Sequence, residues 1–504
     1  MAEPSDCGNN RRDDRTRILE CTLVMEDKGA TDEAKARAYA TRAALLDIVR
    51  EQDRAIVGLG RSIERDPGNS RIYRQRAWFW LRKYDPERAI TDYDAAIRLD
   101  PGNAAIYRER GDAWAAKAFY KAAIADYDQA ISLDPGNPLG YNNRGLLRIR
   151  SGDLDKAIDD TSRALDLDPA YAEAFNNRGL AWWYKGDDDH AIAEYDRAIT
   201  IDPRHVKAYA NRGAAWLSKG DKSRAIADYD KAIAIDASHS DAYTGRAEAW
   251  SLMGRYGRAL SDYNRAISLD TGDAVAYLGR CEMWRYVGRY NSAVEDCKEA
   301  SRLSPQYSHA YQAMGDAEML LTDYAGAFAD YSTAIRLNPT FSRFYLSRGM
   351  ARFYFRSPAG AQADFEQGAS IRPDDPYLAI WVELSRRHNG QPGMLREAKL
   401  DMTAWPAPIV RMLLGDGQPE AALAAAEHSD EITRDERLCQ ANFYTAEFHR
   451  LARRHDEALR HYRLALAGCR RDLVEFLATV SALRSTGNAP ALEDGFARER
   501  AIRR

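Results

Sequence analysis

Nowhere in the 504 residues do apolar side chains run for the ~18 positions that a membrane-spanning helix needs. The amino terminus, MAEPSDCGNNRRDDRTR, lacks the apolar segment of a secretory signal. Charge of one sign is missing as well. Lys and Arg number 72 against 76 Asp and Glu, a net charge of −4, so no global field draws the chain to nucleic acid or to an anionic membrane. There is no HExxH, no Walker loop and no nucleophile elbow. The nine histidines are scattered, and His449, His455 and His461 stand six apart, which does not put them on one helix face as metal ligands. These gaps leave no catalytic residue, metal site or cofactor to assign, and no nucleic-acid partner. What remains, 45% hydrophobic and 29% charged, is enough for a large core in a soluble chain.

What is present is a period. Short xxDP-like phrases place Pro67, Pro101, Pro135, Pro169, Pro203, Ala237, Thr271, Pro305, Pro339 and Pro373 on a spacing of 34 residues without an insertion. Ten units of 34 therefore occupy residues 36–375, between a leader at 1–35 and a carboxyl-terminal region at 376–504. Each unit reads as two short helices. Position 4 is aromatic in all ten, from Tyr39 to Tyr345, and shares a helix face with positions 8 and 11. Position 8 is small, position 20 is always Ala, and position 11 supplies plugs such as Trp80, Trp114 and Trp182. Gly-Asp phrases such as Gly152-Asp153 separate the helices, and Asp-Pro ends the second, because the residue before Pro avoids helical geometry. The GLG at 58–60 lies inside a second helix and is not a phosphate loop.

The phrase aromatic-x2-Arg-Gly-x2-Trp…Ala-x3-Tyr…Pro resembles the tetratricopeptide repeat (TPR). The resemblance implies an all-α fold, a TPR α-solenoid forming a right-handed superhelix of antiparallel helix pairs, whose function is to bind a protein or an extended peptide. Position 7 departs from the usual Leu: it is Arg in nine units, with Met314 the exception, and an acid follows 16 residues later in nine of ten. A basic ladder for phosphates is one reading. A neutralised seam between facing helices is the better one, within a repeat or across neighbours.

In the family, the inner surface is lined by first-helix positions 2, 5, 6, 9, 12 and 13. Asn143, Asn177 and Asn211 occupy position 6 in three successive units, with Asn142 and Asn176 at position 5. This resembles the asparagine ladder of the O-GlcNAc transferase TPR superhelix, in which amides hold a peptide backbone. Equally, Asn-Arg-Gly is a favoured repeat phrase whose amides are solvated or tied to a neighbour. Inner charge is uneven, with Arg37, Arg71, Arg74, Arg82 and Arg108 early and Asp241, Glu248, Glu282 and Asp316 late, a polarity that would orient a ligand unless it is ordinary scatter. Of a chaperone-type carboxylate clamp only Asn177 and Lys207 fit, and that activity is not assigned.

The tail carries WPAPIVRMLLGDGQPEAALAAA from Trp405 and a degenerate repeat at 439–472. It looks like the end of bacterial NlpI-type TPR lipoproteins, which are envelope adaptors, but has no lipobox around Cys7; it is expected to form a helical cap. Six cysteines fall as the pairs Cys7/Cys21, Cys281/Cys297 and Cys439/Cys469. Paired, they favour an oxidising compartment, periplasmic or secreted, whereas the amino terminus as it stands favours cytoplasm. The expected function is a non-enzymatic scaffold or adaptor. Two alternatives stay open: an enzyme or regulator centred in the tail, including a Cys/His hydrolase using Cys439 or Cys469, and a self-assembling scaffold that forms homo-oligomers through an exposed helical face.

Overall fold

The structure is a computed structural model that describes residues 13–48, 51–355, 357–471 and 473–488. Among these residues there are helices and no strand. The chain divides into two compact units, 1–224 and 225–504. The first holds α1 (Asp14–Glu26), the pairs α2 (Asp32–Ile48) and α3 (Gln52–Arg65), α4 (Ser70–Arg82) and α5 (Pro86–Leu99), α6 (Ala104–Ala116) and α7 (Tyr120–Leu133), α8 (Pro138–Arg150) and α9 (Leu154–Leu167), α10 (Ala172–Tyr184) and α11 (Asp188–Ile201), and then α12 (Val206–Ser218). The second holds nearly all of α13 (Lys222–Ile235) and the pairs α14 (Ser240–Leu252) and α15 (Tyr256–Leu269), α16 (Ala274–Tyr286) and α17 (Tyr290–Leu303), α18 (Ser308–Leu321) and α19 (Tyr324–Leu337), and α20 (Ser342–Tyr354) and α21 (Pro358–Ile371). It ends in α22 (Pro376–His388), α23 (Ala407–Leu414), α24 (Pro419–Ala424), α25 (Glu431–Leu451), α26 (His455–Gly468) and α27 (Val474–Ser485).

In repeats two to nine the first helix stops at position 15 because one residue there turns left-handed, which is Gly in five repeats (Gly152 at φ 81°) but Tyr84, Ala118 and Thr322 in others. In seven of the ten repeats the pair closes on a ring at position 24. A Cβ on Gly111 would lie 2.7 Å from Tyr127, and one on Gly179 the same distance from Tyr195. Only glycine at position 8 admits the ring there. In the second unit two rings turn the other way: Tyr229 and Tyr263 press against Gly245 and Gly279, at position 6 of the following repeat. In repeat eight a disulfide, Cys281–Cys297, with Cα atoms 5.4 Å apart, stands where the ring and glycine meet elsewhere. Cys439–Cys469 closes the α25–α26 hairpin, with Cα atoms 4.8 Å apart. Cys21 is buried, and Cys7, its expected partner, lies outside the described residues.

The position-7 arginines make the seam, and both pairings occur at once. Arg110 donates from Nε and Nη2 to Asp126 of its own repeat at 2.8 and 2.6 Å, and from Nη1 to Asp94 of the preceding repeat at 2.6 Å. Arg280 does the same to Asp296 and to Asn264, and Arg348 to Asp364 and Ser332. The planar fork thus ties three helices together, and the guanidinium also lies over the position-4 ring, as Arg110 does over Tyr107 at 5.7 Å. Apart from Arg42, which has no acid 16 residues on and donates to Met25 Sδ, the arginines are engaged in this seam and do not form a phosphate ladder.

Repeat nine breaks the rule in a connected way. Where Met314 replaces Arg, Asp330 faces Glu318, which stands where other repeats carry Trp. Burial first, and then the charge of neighbouring acids, pushes the Glu318 carboxyl up to about 8, and burial pushes Asp330 to about 6, so the pair holds a proton at neutral pH. The preceding repeat carries Lys298 at the position that elsewhere accepts from Arg, so an arginine at 314 would meet a cation.

The carboxyl-terminal helices build the largest apolar core, around Trp381, Phe365, Phe443 and Tyr444. Glu447 is sealed in it, accepting from Tyr354 at 2.8 Å and Tyr462 at 2.6 Å and paired with Arg450. Helix α27 contacts α18, α20, α25 and α26, and every residue from Glu475 to Leu483 is buried. At its far end Arg484 donates to the carbonyls of Met319 and Leu320, both at 2.9 Å, capping the open end of α18.

Candidate peptide-binding face

First helices of neighbouring repeats touch one another as well as their own partners, so positions 5, 6 and 9 meet from repeat to repeat. In the first unit they form one directed line of hydrogen bonds. Asn211 donates to Asn176 Oδ1 at 2.9 Å, Asn176 to Asn177 at 3.3 Å, Asn177 to Asn142 at 2.9 Å, and Asn142 to Asn143 at 3.3 Å. Asn143 donates to Asp112 at 3.0 Å, and Tyr127 donates to the same oxygen at 2.6 Å. Every amide points the same way, so the line runs toward a carboxylate. Burial raises the Asp112 carboxyl above its ordinary value, although Tyr127, Arg108 and Asn143 all act in the opposite direction.

Arg108 lies 3.8 Å from Asp112 and also reaches Glu109, and Arg74 grips Glu109 from the preceding repeat through Nε and Nη2 at 2.8 and 2.6 Å. This bidentate contact raises the Arg74 guanidinium above its ordinary value. The rule linking these contacts is position 5 of one repeat to position 6 of the next, in Arg74–Glu109, Asn142–Asn177 and Asn176–Asn211 alike. Asn142, Asn176 and Asn177 are buried, while Asn143 and Asn211 remain half-buried. Lys207 stands apart, exposed and 3.6 Å from Glu173, whose carboxyl is held below its ordinary value chiefly by a hydrogen bond from His205 and then by Lys207.

The second unit differs. Glu248 and Glu282, at position 9 of repeats seven and eight, form no ion pair or hydrogen bond among the described residues, and Glu248 is exposed. Burial raises both carboxyls, Glu282 further through Asp316 and Glu248, against the opposing charge of Arg285 and Arg343. Asp316 is itself satisfied, by Arg285 at 2.7 Å and by Tyr331, which donates to it at 2.8 Å. Sequence reading missed Glu109 and Asp112, which end the amide line, and α27, which covers first helices of repeats nine and ten. The alternating polar identities at position 6 were the available signal for the former. Cys439 and Cys469 are joined to each other, which removes the hydrolase nucleophile. No group of three potential metal ligands occurs among the described residues, and no helix among them is long and apolar enough to cross a membrane.

Helix pairs on a constant register, with glycine-seated rings, define a repeat solenoid of the helix-turn-helix class. Tetratricopeptide repeats are found in the middle part of the chain: family profiles described as tetratricopeptide repeat match residues 142–206 and 217–275, and one described as TPR repeat matches 120–152. Among solved structures the chain is similar to a tetratricopeptide repeat protein from Parabacteroides merdae, with 20% identity and TM-score 0.41 over 49% of this chain and 97% of that one. It is similar to MamA, with 27% identity and TM-score 0.29 over 33% and 92%, and to YrrB, described as a TPR protein with an unusual peptide-binding site, with 26% identity and TM-score 0.29 over 36% and 95%. No curated protein matches the chain.

Proposed function

We propose that the chain is a non-enzymatic scaffold whose first-helix faces bind a protein segment in extended form. Tetratricopeptide repeats commonly mediate protein–protein or peptide binding. The observation that carries the reading here is the amide line from Asn211 to Asp112. Its buried members stiffen the face, and Asn143 and Asn211 stay accessible with one amide N–H each beyond the bond they make in the line. Donors fixed in this way meet backbone carbonyls without first being ordered, and so select for an extended main chain more than for particular side chains. The two disulfides support work in an oxidising compartment, as expected of an envelope adaptor.

The test is selection of peptides from a displayed library by the full chain, followed by affinity measurement with Asn143→Ala/Asn211→Ala. Two lost hydrogen bonds of about 1 kcal/mol each should weaken binding by roughly tenfold or more, measured at a temperature where circular dichroism shows both proteins folded. Equal affinity for both proteins overturns the assignment.

A further inference from the structure

The first-helix face of repeats seven to nine is acidic, and Arg343, at position 2 of repeat ten, offsets Glu282 only in part and without an ion pair. At positions 2, 5, 6, 9, 12, 13 and 34 of these repeats stand Asp241, Glu248, Asp273, Glu282 and Asp316, against Arg285 as the one lysine or arginine. Arg285 is already engaged by Asp316, and Asp273 caps α16 while accepting from Thr244 at 2.9 Å. Glu248 and Glu282 are left. On α16, two turns before Glu282, Val275, an apolar side chain at position 2 of repeat eight, is 54% exposed. Carboxylates without an ion pair, with an exposed apolar side chain on the same helix face, suit an occupant that brings both guanidinium groups and apolar contact.

The chain already lays one of its own segments on this kind of surface. Helix α27 rests on α18 and α20, first helices of repeats nine and ten, and ends with Arg484 on the last carbonyls of α18. On α18 Asp316 lies one turn before those carbonyls; Asp316 joins Arg285 on α16, and Glu282 lies one turn before Arg285. The described residues end at Asn488, four positions after Arg484 and its contact with α18. Beyond it the sequence runs APALEDGFARERAIRR, whose last ten residues hold Arg498, Arg500, Arg503 and Arg504 against Glu499, with Phe496 and Ile502 between them. Packed helices lie ~8–10 Å apart, so α16 is about 10 Å and α14 about 20 Å from α18. Ten residues of chain span up to about 35 Å, which is sufficient.

We propose that residues 495–504 are a ligand in cis for the first-helix face of repeats seven and eight, with arginines on Glu248 and Glu282. The proposal rests on first-helix faces being the binding surface. It adds that, in the second unit, this surface is guarded by the chain itself, so an outside partner must compete with the tail.

The experiment titrates a fluorescein-labelled peptide of residues 489–504, read by anisotropy, against three full-length proteins: wild type, a tail-neutralised variant (R498Q/R500Q/R503Q/R504Q), and that variant with E248Q/E282Q. A tethered ligand acts at roughly millimolar effective concentration, so the tail-neutralised protein should bind the peptide at least ~10-fold more tightly than wild type. Adding E248Q/E282Q should reverse that gain by a similar factor, and raising salt should do the same. Equal binding to wild type and the tail-neutralised protein, or indifference to E248Q/E282Q, overturns the proposal. So does a concentration-dependent mass in light scattering that the neutralised tail abolishes, since that places the tail on a second copy. These readings concern repeats seven and eight only; if the library peptides still depend on Asn143 and Asn211, the binding function stands and the tail assignment alone falls.

Discussion

Replacing Glu475 by Gln should stabilise the carboxyl-terminal helices at pH 8 and remove a pH dependence that the native chain has. Glu475 is 2% exposed in the first turn of α27, where its one side-chain partner is Tyr444, donating to Oε1 at 3.3 Å. Burial pushes its carboxyl to about 7, and the charge of Glu436 adds to this while Arg343 and Tyr444 oppose it. Its folded pKa lies above the unfolded value of 4.5, so the protonated form is the one the fold prefers. Stability is therefore full below pH 4.5 and declines as pH rises to about 7. A difference of some 2.5 units at about 1.4 kcal/mol each puts the loss on the order of 3 kcal/mol by pH 8. Hydrogen exchange of the α27 amides should show this as protection that falls between pH 5 and 8 after correction for intrinsic exchange. Glu475→Gln, with the same shape and no charge, should be better protected at pH 8 and flat across the range. Equal pH dependence in the two proteins would refute the argument that α27 carries a buried carboxylate into its seat.

Arg246→Ala strands Asp262, which is 7% exposed and loses both bonds of a bidentate contact; the expected cost is about 3 kcal/mol, and Arg246→Ala/Asp262→Ala should recover part of it in a double-mutant cycle on denaturation midpoints. Gly279→Ala puts a methyl into the Tyr263 ring and should lower stability by about 1–3 kcal/mol, whereas Gly272→Ala, in the loop before α16, should be far milder; thermal melts of the two variants decide.

Much of this was legible because ten copies of one phrase average out local accident. The helix pairs, the small residue at position 8 and the seam between Arg and acid all follow from the 34-residue register. Which repeat supplies the partner of each arginine was not legible, for a simple reason. Asp94 and Asp126 are both 16 residues from Arg110, one on each side, and the guanidinium takes both. The amide line was placed on the right face, but the direction of its bonds depends on contacts 35 residues apart that no single repeat contains. The turned rings of Tyr229 and Tyr263 become readable only once glycine at position 6 is seen as their seat. Helix α27 lies outside the period, and Glu475, Thr479 and Ser481 look solvent-facing in sequence yet are buried.

Joints that are specific at both ends make the units unequal parts of an ordered whole. A repeat moved elsewhere would take its position-7 residue to a neighbour with the wrong position 25: Met314 suits a predecessor ending in Lys298, and Arg110 needs one bearing Asp94. Shuffled or shortened arrays of these units should consequently assemble less well than their similarity suggests, and divergence at one joint obliges a matching change in the adjacent copy.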